Sequence, residues 1–447
     1  MVLPDRITPR QRTAIAVCVG NVLISICSSC FWYNELDRLN PFPYFSNMLN
    51  VVLAVVLVGA ALVATGGAGA LAATARDSSP RWRRLVLQGS FAFALQNTLD
   101  IISIDGLGTR NSNLSTVFQQ AVIPVTLVLS RAMLGKRFTP WHLAGAALVV
   151  GGILVSYLPL AVQDSDSSGG GGGGGGVPVG WTLVFLASRV PQALSNIFSE
   201  QALHIMPGVV TRGEEGGGGE EDGVKVKGGV KGGGATAATA SAGGDGEVVD
   251  SDGGGGGGCG GGAALQALLS ITLWTNIIAI PLNFLFSLLI SGSGLASSGD
   301  ASVSDMLADY GGGWRCLFRG SCDAAFVGRF PDCPVRCETA WSAVLLFSVP
   351  GVLFAVSEFQ VLQFAGAATY VILTAVELPL TNALMASPAI MGRMAGDFHE
   401  SIVYGVFVML PGMVLYGLAD VWQQQQQQQR STKDQRRLEL AKPLLSP

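Results

Sequence analysis

Long apolar segments dominate this sequence, and they limit the chain to few folds. About 20 apolar residues in a row are enough to cross a bilayer as an α-helix. Inside hydrocarbon the backbone must satisfy its own hydrogen bonds, so spanning segments form helices or closed barrels. We identify ten such segments, at residues 13–33, 45–70, 85–104, 113–134, 141–161, 177–203, 264–291, 341–366, 369–391 and 402–421.

The composition agrees with a membrane protein. Charged residues make up 13% of the chain and hydrophobic residues 49%, whereas a water-soluble domain carries about a quarter charged residues. No basic patch with interleaved aromatic residues occurs in the sequence, so we predict no nucleic-acid partner. The sequence therefore predicts an all-α polytopic membrane protein whose main partner is the lipid bilayer.

Two of the segments share a polar, proline-containing pattern. In the fourth, Gln119 and Gln120 precede Ile-Pro-Val-Thr at 123–126; in the ninth, Glu377 precedes Leu-Pro-Leu-Thr at 378–381. Proline removes a helical hydrogen bond, so we expect helix kinks at Pro124 and Pro379. The echo lies five segments apart, and an odd number of spans ends on the opposite side of the membrane. The sequence therefore predicts two inverted five-helix repeats, which are typical of secondary transporters.

The bias of lysine and arginine toward one side predicts that both termini are cytosolic. We divide the chain into a cytosolic N-terminus (1–12), a first repeat (13–161), a lumenal Ser/Gly linker (162–176), a second repeat (177–421) and a cytosolic polyglutamine and basic tail (422–447). Two insertions interrupt the second repeat: a disordered cytosolic Gly-rich segment (204–263) and a lumenal cysteine loop (292–340). The linker, the Gly-rich insertion and the glutamine run are too poor in apolar residues to fold alone.

The cysteine loop contains Cys316, Cys322, Cys333 and Cys337. Four clustered cysteines form either disulfides or a metal site, and zinc sites usually show Cys-x2-Cys pairs. Here the intervening gaps are five, ten and three residues, and an oxidising lumen favours disulfides. Spacing alone leaves three connectivities open. We predict no metal and no cofactor.

Several stretches taken together resemble one known family. They are Gly-Leu-Gly-Thr-Arg at 106–110, Phe-Gln-Gln-Ala-Val-Ile-Pro at 118–124, His-Leu-Ala-Gly-Ala at 142–146, Pro191 with Ser195 and Asn196, and the cysteine loop from Arg-Cys-Leu-Phe at 315–318 to Trp341. Their order resembles the chloroquine-resistance-transporter-like family of the drug/metabolite transporter superfamily. Departures are the long cytosolic insertion and the polar residues Asn21 and Ser25 of the first segment.

The resemblance implies ten helices in two inverted five-helix halves. Members move peptides, amino-acid-like solutes, glutathione-type thiols or amine drugs out of vacuoles or across plastid envelopes, often with protons. The resemblance also implies nested disulfides, Cys316–Cys337 and Cys322–Cys333. We expect a vacuole or another endomembrane rather than a plastid envelope, because the plastid branch has an N-terminal targeting extension that this sequence lacks.

Polar side chains inside spans are costly unless they are paired or hydrated, so each is a functional candidate. Gln96 and Asp100 are four residues apart and share a helix face. Asp100 has an alternative as a solvated residue near the lumenal end, and Arg189 has one as the structural partner of a carboxylate. We predict that the solute and proton pathway involves Asn21, Gln96, Asn97, Asp100, Gln119, Gln120, Arg189, Gln192, Asn196, Glu358, Glu377 and Asn382.

Glu377 is the first candidate for proton coupling. It lies mid-span, just before Pro379, and a carboxylate there can take up a proton from an acidic lumen and release it to the cytosol. Arg189 would hold its charged form if the two helices approach. The alternative is a glutamate that only hydrogen-bonds a neighbouring helix.

These features predict a monomeric secondary active transporter of small organic solutes. It would be proton-coupled and work by alternating access around a central cavity. The alternative is a passive channel or exchanger for small metabolites without proton coupling. We rank a membrane enzyme last, because His142, His204 and His399 all lie near segment ends and no paired metal motif is present.

Overall fold

The computed structural model describes residues 9–39, 42–77, 79–107, 112–136, 138–167, 179–205, 260–292, 303–321, 337–391, 395 and 400–441. This part of the chain is helical and contains no strand. In order, the helices are α1 (Pro9–Leu39), α2 (Pro43–Asp77), α3 (Pro80–Leu107), α4 (Ser112–Gln119), α5 (Val122–Leu134), α6 (Pro140–Ser167), α7 (Val179–Ile205), α8 (Gly260–Gly292), α9 (Val303–Arg319), α10 (Ala340–Met385), α11 (Pro388–Met391) and α12 (Glu400–Ala441), with a 3-10 turn at Cys337–Thr339 before α10.

Within the described residues, seven segments are long and apolar enough to cross a membrane. They are Tyr44–Gly66, Pro80–Ile104, Leu114–Leu134, Pro140–Pro159, Leu265–Ile290, Cys337–Ser357 and Glu400–Ala419. A shorter apolar segment, Ile15–Phe31, lies in α1. Helix α7 is not among the seven, and it carries the buried Arg189. The chain is thus a polytopic helical membrane protein.

Helix α10 consists of two arms that run in opposite directions, although its residues are helical from Ala340 to Met385. Its first residues pack with Leu39 at the end of α1, and Ser357 accepts a hydrogen bond of 2.9 Å from Asn21, near the middle of α1. Ser25, one turn from Asn21, donates to Glu377. A straight helix would separate Ser357 from Glu377 by about 30 Å. The chain therefore reverses direction between them, and its two arms coincide with predicted segments 341–366 and 369–391.

The predicted fourth segment is broken before its proline rather than kinked at it. Helix α4 ends at Gln119 and α5 begins at Val122. Pro124 has no N–H to offer the carbonyl of Gln120, which instead accepts from the N–H of Ile123 at 3.1 Å. Pro124 thereby lies in the first turn of α5, where backbone N–H groups have no intrahelical partner. Pro379, by contrast, lies inside α10 without interrupting the helix.

Three predicted irregular segments are partly helical. Helix α12 continues through Gln423–Gln429 to Ala441, because glutamine is a good helix former and the helix has already been nucleated by the span before it. Helix α6 extends to Ser167, into the predicted linker. Helix α9 lies within the predicted cysteine loop. Residues 168–176 of the linker and 206–259 of the Gly-rich insertion lie outside the described residues.

Helices α6 and α12 pack closely along a line of glycines. A Cβ at Gly145 would lie 2.6 Å from the carbonyl oxygen of Gly412, and one at Gly412 would lie 2.7 Å from that of Gly145. Two turns along, a Cβ at Gly152 would lie 2.5 Å from the carbonyl oxygen of Gly405. Small residues let helix backbones approach in membranes, where apolar burial does not drive association.

We therefore expect Gly145→Ala to lower the stability of the protein by about 1–3 kcal/mol, because the added methyl group forces the two backbones apart. The measurement is the midpoint of thermal unfolding in detergent. Gly151→Ala is the matched control: it lies on the same helix, and the nearest atom to its Cβ is Val408 Cγ1 at 4.0 Å. Equal midpoints for the two variants would contradict the packing argument.

Helix α9 is attached to the start of α10 by a disulfide between Cys316 and Cys337. Both cysteines are buried in a cluster with Phe42, Phe45 and Val344. This is one of the two bridges implied by the family resemblance. The other expected pair, Cys322 and Cys333, lies outside the described residues.

The double variant Cys316→Ser/Cys337→Ser is expected to be about 2–4 kcal/mol less stable than the parent, mainly because its unfolded chain is less restricted. Thermal unfolding under non-reducing conditions measures the loss. Cys27→Ser, which changes an exposed free thiol, is the control and should leave the midpoint unchanged. A reducing agent should lower the parent's midpoint and leave that of the double variant unaffected.

Candidate functional site

A buried ion pair joins α3 to α7. Arg189 Nη2 and Asp100 Oδ1 form a salt bridge in which the side chains are 2% and 12% exposed. Arg189 is among the largest fully buried side chains of the described residues. An isolated charge at this depth would be strongly unfavourable, so each group supplies the counter-charge that the other needs.

The guanidinium of Arg189 is held mostly by its own helix. Its Nη1 donates to Gln192 Oε1 at 2.7 Å, and its Nε donates to Ser188 Oγ at 3.1 Å. The group also lies over the ring of Phe185, 4.4 Å from the centroid, a cation–π contact. These contacts fix the position of the positive charge.

The carboxylate of Asp100 is bonded on both oxygens. Ser188 Oγ donates to Oδ1 alongside Arg189, and Gln96 Nε2 donates to Oδ2 at 3.1 Å. The predicted shared face of Gln96 and Asp100 is therefore confirmed. Asp100 is the more open member of the pair.

A second polar group joins α1, α4 and α10. Ser25 Oγ donates to Glu377 Oε1. Asn382 Oδ1 accepts from Thr116 Oγ1 at 2.7 Å, and its Nδ2 donates to the carbonyl oxygen of Leu378 at 3.0 Å. The sequence predicts that Arg189 pairs with Glu377 only if their two helices approach. In the structure Arg189 pairs with Asp100 instead.

A large hydrophobic cluster connects the two polar groups. It contains Ile26 of α1, Phe118 of α4, Phe185 of α7, Leu378 of α10 and Met409 of α12. Phe185 contacts Arg189, and Leu378 follows Glu377 directly, so the two charged centres border the same core. That is the arrangement expected of polar groups inside a helical bundle rather than on its lipid face.

The remaining predicted residues occupy varied positions. Gln120 is buried at the α4–α5 break, Gln119 and Asn97 are partly exposed, and Asn196 is exposed, outside the interior. The side chain of Glu358 is outside the described part of α10. His142 is buried, and its Nδ1 lies 3.2 Å from the backbone N–H of Thr139 at the start of α6, so it stabilises a helix end.

Sequence reasoning omitted the hydroxyl groups from the site. Ser188, Ser25, Thr116 and Ser357 each bond a predicted polar residue. Serine and threonine are common in membrane helices because they bond their own backbone, as Ser357 does to the carbonyl oxygen of Phe354. In the sequence, the one sign that Ser188 belongs to the site is its position next to Arg189.

The sequence model of the chloroquine-resistance-transporter-like family matches residues 14–207 and 269–416, which include both polar groups. The chain belongs to this family. Proteins of the chloroquine-resistance-transporter-like family are membrane transporters, and the helical fold agrees with that.

Individual relatives are distant. Crt homolog 1 of Dictyostelium discoideum is 24% identical over 343 residues, covering 74% of this chain and 60% of that protein. Crt homolog 2 of the same organism is 23% identical over 430 residues, covering 95% and 75%. The chloroquine resistance transporter of Toxoplasma gondii is 25% identical over 342 residues, covering 74% and 31%. This family member thus spans about three fifths of the length of Crt homolog 1.

Proposed function

We propose that the protein is a secondary active transporter that carries small organic solutes across an organellar membrane by alternating access. The buried Asp100–Arg189 pair carries this proposal. Ionisable groups inside a membrane bundle are costly and mark pathways for solutes and ions. A carboxylate oxygen can accept two hydrogen bonds, so Oδ2 of Asp100, which accepts one from Gln96, can also bind an amino or hydroxyl group of a solute.

The proposal includes ten spans in two inverted repeats. The seven apolar segments, the α1 segment, α7 and the second arm of α10 together account for ten. In this arrangement α4–α5 and the second arm of α10 occupy equivalent positions in the two repeats. Thr116 and Asn382, which bond each other at 2.7 Å, then lie at the repeat interface, where transporters of this type bind their substrates.

We assign proton coupling to Glu377. The proposed solutes are peptides, amino-acid-like compounds, glutathione-type thiols or amine drugs. The name of the Toxoplasma gondii relative, chloroquine resistance transporter, supports drug-like amines as one class. The proposed location is the vacuolar membrane or another endomembrane. The proposed functional unit is the monomer, because each chain would contain both repeats. A second disulfide, Cys322–Cys333, nested inside the Cys316–Cys337 loop, is part of the same proposal.

The test is transport by the purified full-length protein in proteoliposomes. Counterflow with amino acids, di- and tripeptides, glutathione and amine drugs identifies the solute. An imposed pH gradient should then drive that solute uphill. Counterflow without pH-driven accumulation would replace the proposal with the passive exchanger or channel, and no flux of any solute would overturn it.

A further inference from the structure

Helix α9 has two apolar faces: one is buried against the protein and the other is largely exposed. Gly313 lies against the ring of Phe45, and Leu317 is buried in the cluster around the disulfide. The other face carries Leu307, Trp314 and Phe318, which are 53%, 58% and 51% exposed. An exposed stripe of large apolar residues marks an interaction surface.

The position of α9 coincides with the edge of the membrane. The apolar span of α2 begins at Tyr44, that of α8 ends at Ile290 and that of α10 begins at Cys337. Helix α9 packs on the first of these through Phe45 and is bonded to the third through Cys316. It therefore lies at the level where these spans leave the bilayer.

The exposed stripe of α9 is continuous with a surface that faces lipid. The rings of Trp314 and Phe318 are 4.3 Å apart, and Phe318 is 5.3 Å from Trp341 on α10. Below Trp341, the exposed residues Leu345 and Val349 follow at four-residue spacing along the membrane span. Tryptophan is enriched at this level of membrane proteins because its ring suits the headgroup region.

Two arginines border the stripe. Arg315 and Arg319 are exposed, one turn apart, and line a cleft of about 490 Å³ with Tyr310 and Trp314. Tyr310 is neutral at physiological pH, as tyrosines ordinarily are, and so does not repel an anion; burial raises its pKa further, to about 12. Guanidinium groups bind phosphate through paired hydrogen bonds.

We propose that α9 is an interfacial helix that binds acidic phospholipids: Arg315 and Arg319 bind the headgroup phosphates, and Leu307, Trp314 and Phe318 insert among the acyl chains. The bilayer is the occupant because the stripe continues the lipid-facing surface of α10. Interfacial helices combine such an apolar stripe with flanking basic residues.

The test compares thermal unfolding of the full-length protein in neutral detergent with added phosphatidylserine or phosphatidylcholine. Ligands that bind the folded state raise the midpoint, so phosphatidylserine should raise it by about 3 °C more than phosphatidylcholine. Arg315→Ala/Arg319→Ala should lose at least about half of that difference. Arg315→Lys/Arg319→Lys should keep more of it than the alanine pair but less than the parent, because lysine binds phosphate as a point charge without paired hydrogen bonds. Arg81→Ala/Arg84→Ala removes two exposed arginines from α3 as the control and should retain the full difference.

Three results would overturn the proposal. The parent shows no preference for phosphatidylserine, the alanine pair keeps the full preference, or the α3 control loses as much of it as the α9 variant.

A second measurement tests insertion: phospholipids brominated on the acyl chains should quench the fluorescence of the parent more than that of Trp314→Phe. Trp82→Phe, which removes a buried ring, should leave the quenching unchanged. Equal quenching of parent and Trp314→Phe would refute insertion of the stripe.

Discussion

Glu377→Gln is expected to abolish uphill, pH-driven uptake while counterflow of the same solute continues. Glutamine keeps the shape of the side chain, and its Oε1 still accepts the hydrogen bond that Ser25 donates to Glu377. It cannot bind and release a proton, so it cannot link solute movement to a proton gradient. We expect accumulation to fall by at least about tenfold and counterflow to stay within about twofold, as for the loss of a proton relay that is not itself needed for solute passage.

Two further variants make this experiment decisive. Glu338→Gln removes an exposed carboxylate at the start of α10 and should transport like the parent. Ser25→Ala keeps the titratable group but removes its hydrogen-bond donor, and should retain coupling with an altered pH dependence. Uphill accumulation by Glu377→Gln with the parent's pH profile would show that the proton binds elsewhere, and Asp100 or Glu358 would be tested next.

Arg189→Met is expected to be among the most destabilising single substitutions in the chain. It leaves Asp100 buried without its counter-charge, which costs about 3–5 kcal/mol. The double variant Asp100→Leu/Arg189→Met should recover most of that loss, because replacing a buried pair by apolar residues is often close to neutral. Thermal unfolding in detergent measures both effects.

An exposed ion pair supplies the matched control. Lys136 Nζ lies 2.8 Å from Glu200 Oε1, and both side chains are nearly half exposed. Lys136→Met should therefore cost less than about 1 kcal/mol. If Lys136→Met and Arg189→Met are equally destabilising, burial does not govern the contribution of the Asp100–Arg189 pair.

The double variant also separates structure from function. If the pair lines the solute pathway, Asp100→Leu/Arg189→Met folds but loses transport. If the pair only connects α3 to α7, the folded double variant transports normally. Counterflow in proteoliposomes prepared with equal amounts of folded protein distinguishes the two.

The sequence predicted which polar residues belong to the interior better than it predicted their partners. Gln96 and Asp100 share a helix, so their contact follows from their spacing. Arg189 is 89 residues from Asp100, and only the packing of α3 on α7 determines that they meet. The same holds for Glu377 and Ser25, which lie on helices at opposite ends of the chain.

The helix boundaries that the sequence missed have local physical causes. The break at Gln120 and Ala121 precedes Pro124 because proline lacks the N–H that would have bonded the carbonyl of Gln120. Helix α9 lies within the predicted cysteine loop, and it contains three consecutive glycines, which disfavour helix. Packing explains the last two of them: a Cβ at Gly312 would lie 2.4 Å from Phe42 Cε1, and one at Gly313 would lie 2.7 Å from the Cβ of Phe45.

The continuity of α12 through its glutamine run changes what the length of that run would control. In a flexible tether, one glutamine more or fewer would only alter the reach of the segment that follows. In a continuous helix, each inserted glutamine rotates everything after it by about 100° and advances it by about 1.5 Å. Deleting two glutamines would turn the basic residues beyond the run to nearly the opposite side, whereas deleting all seven of Gln423–Gln429 would bring them back within about 20° of their original direction. A change in the length of this run would therefore change the direction in which the basic residues of the tail face around the helix axis.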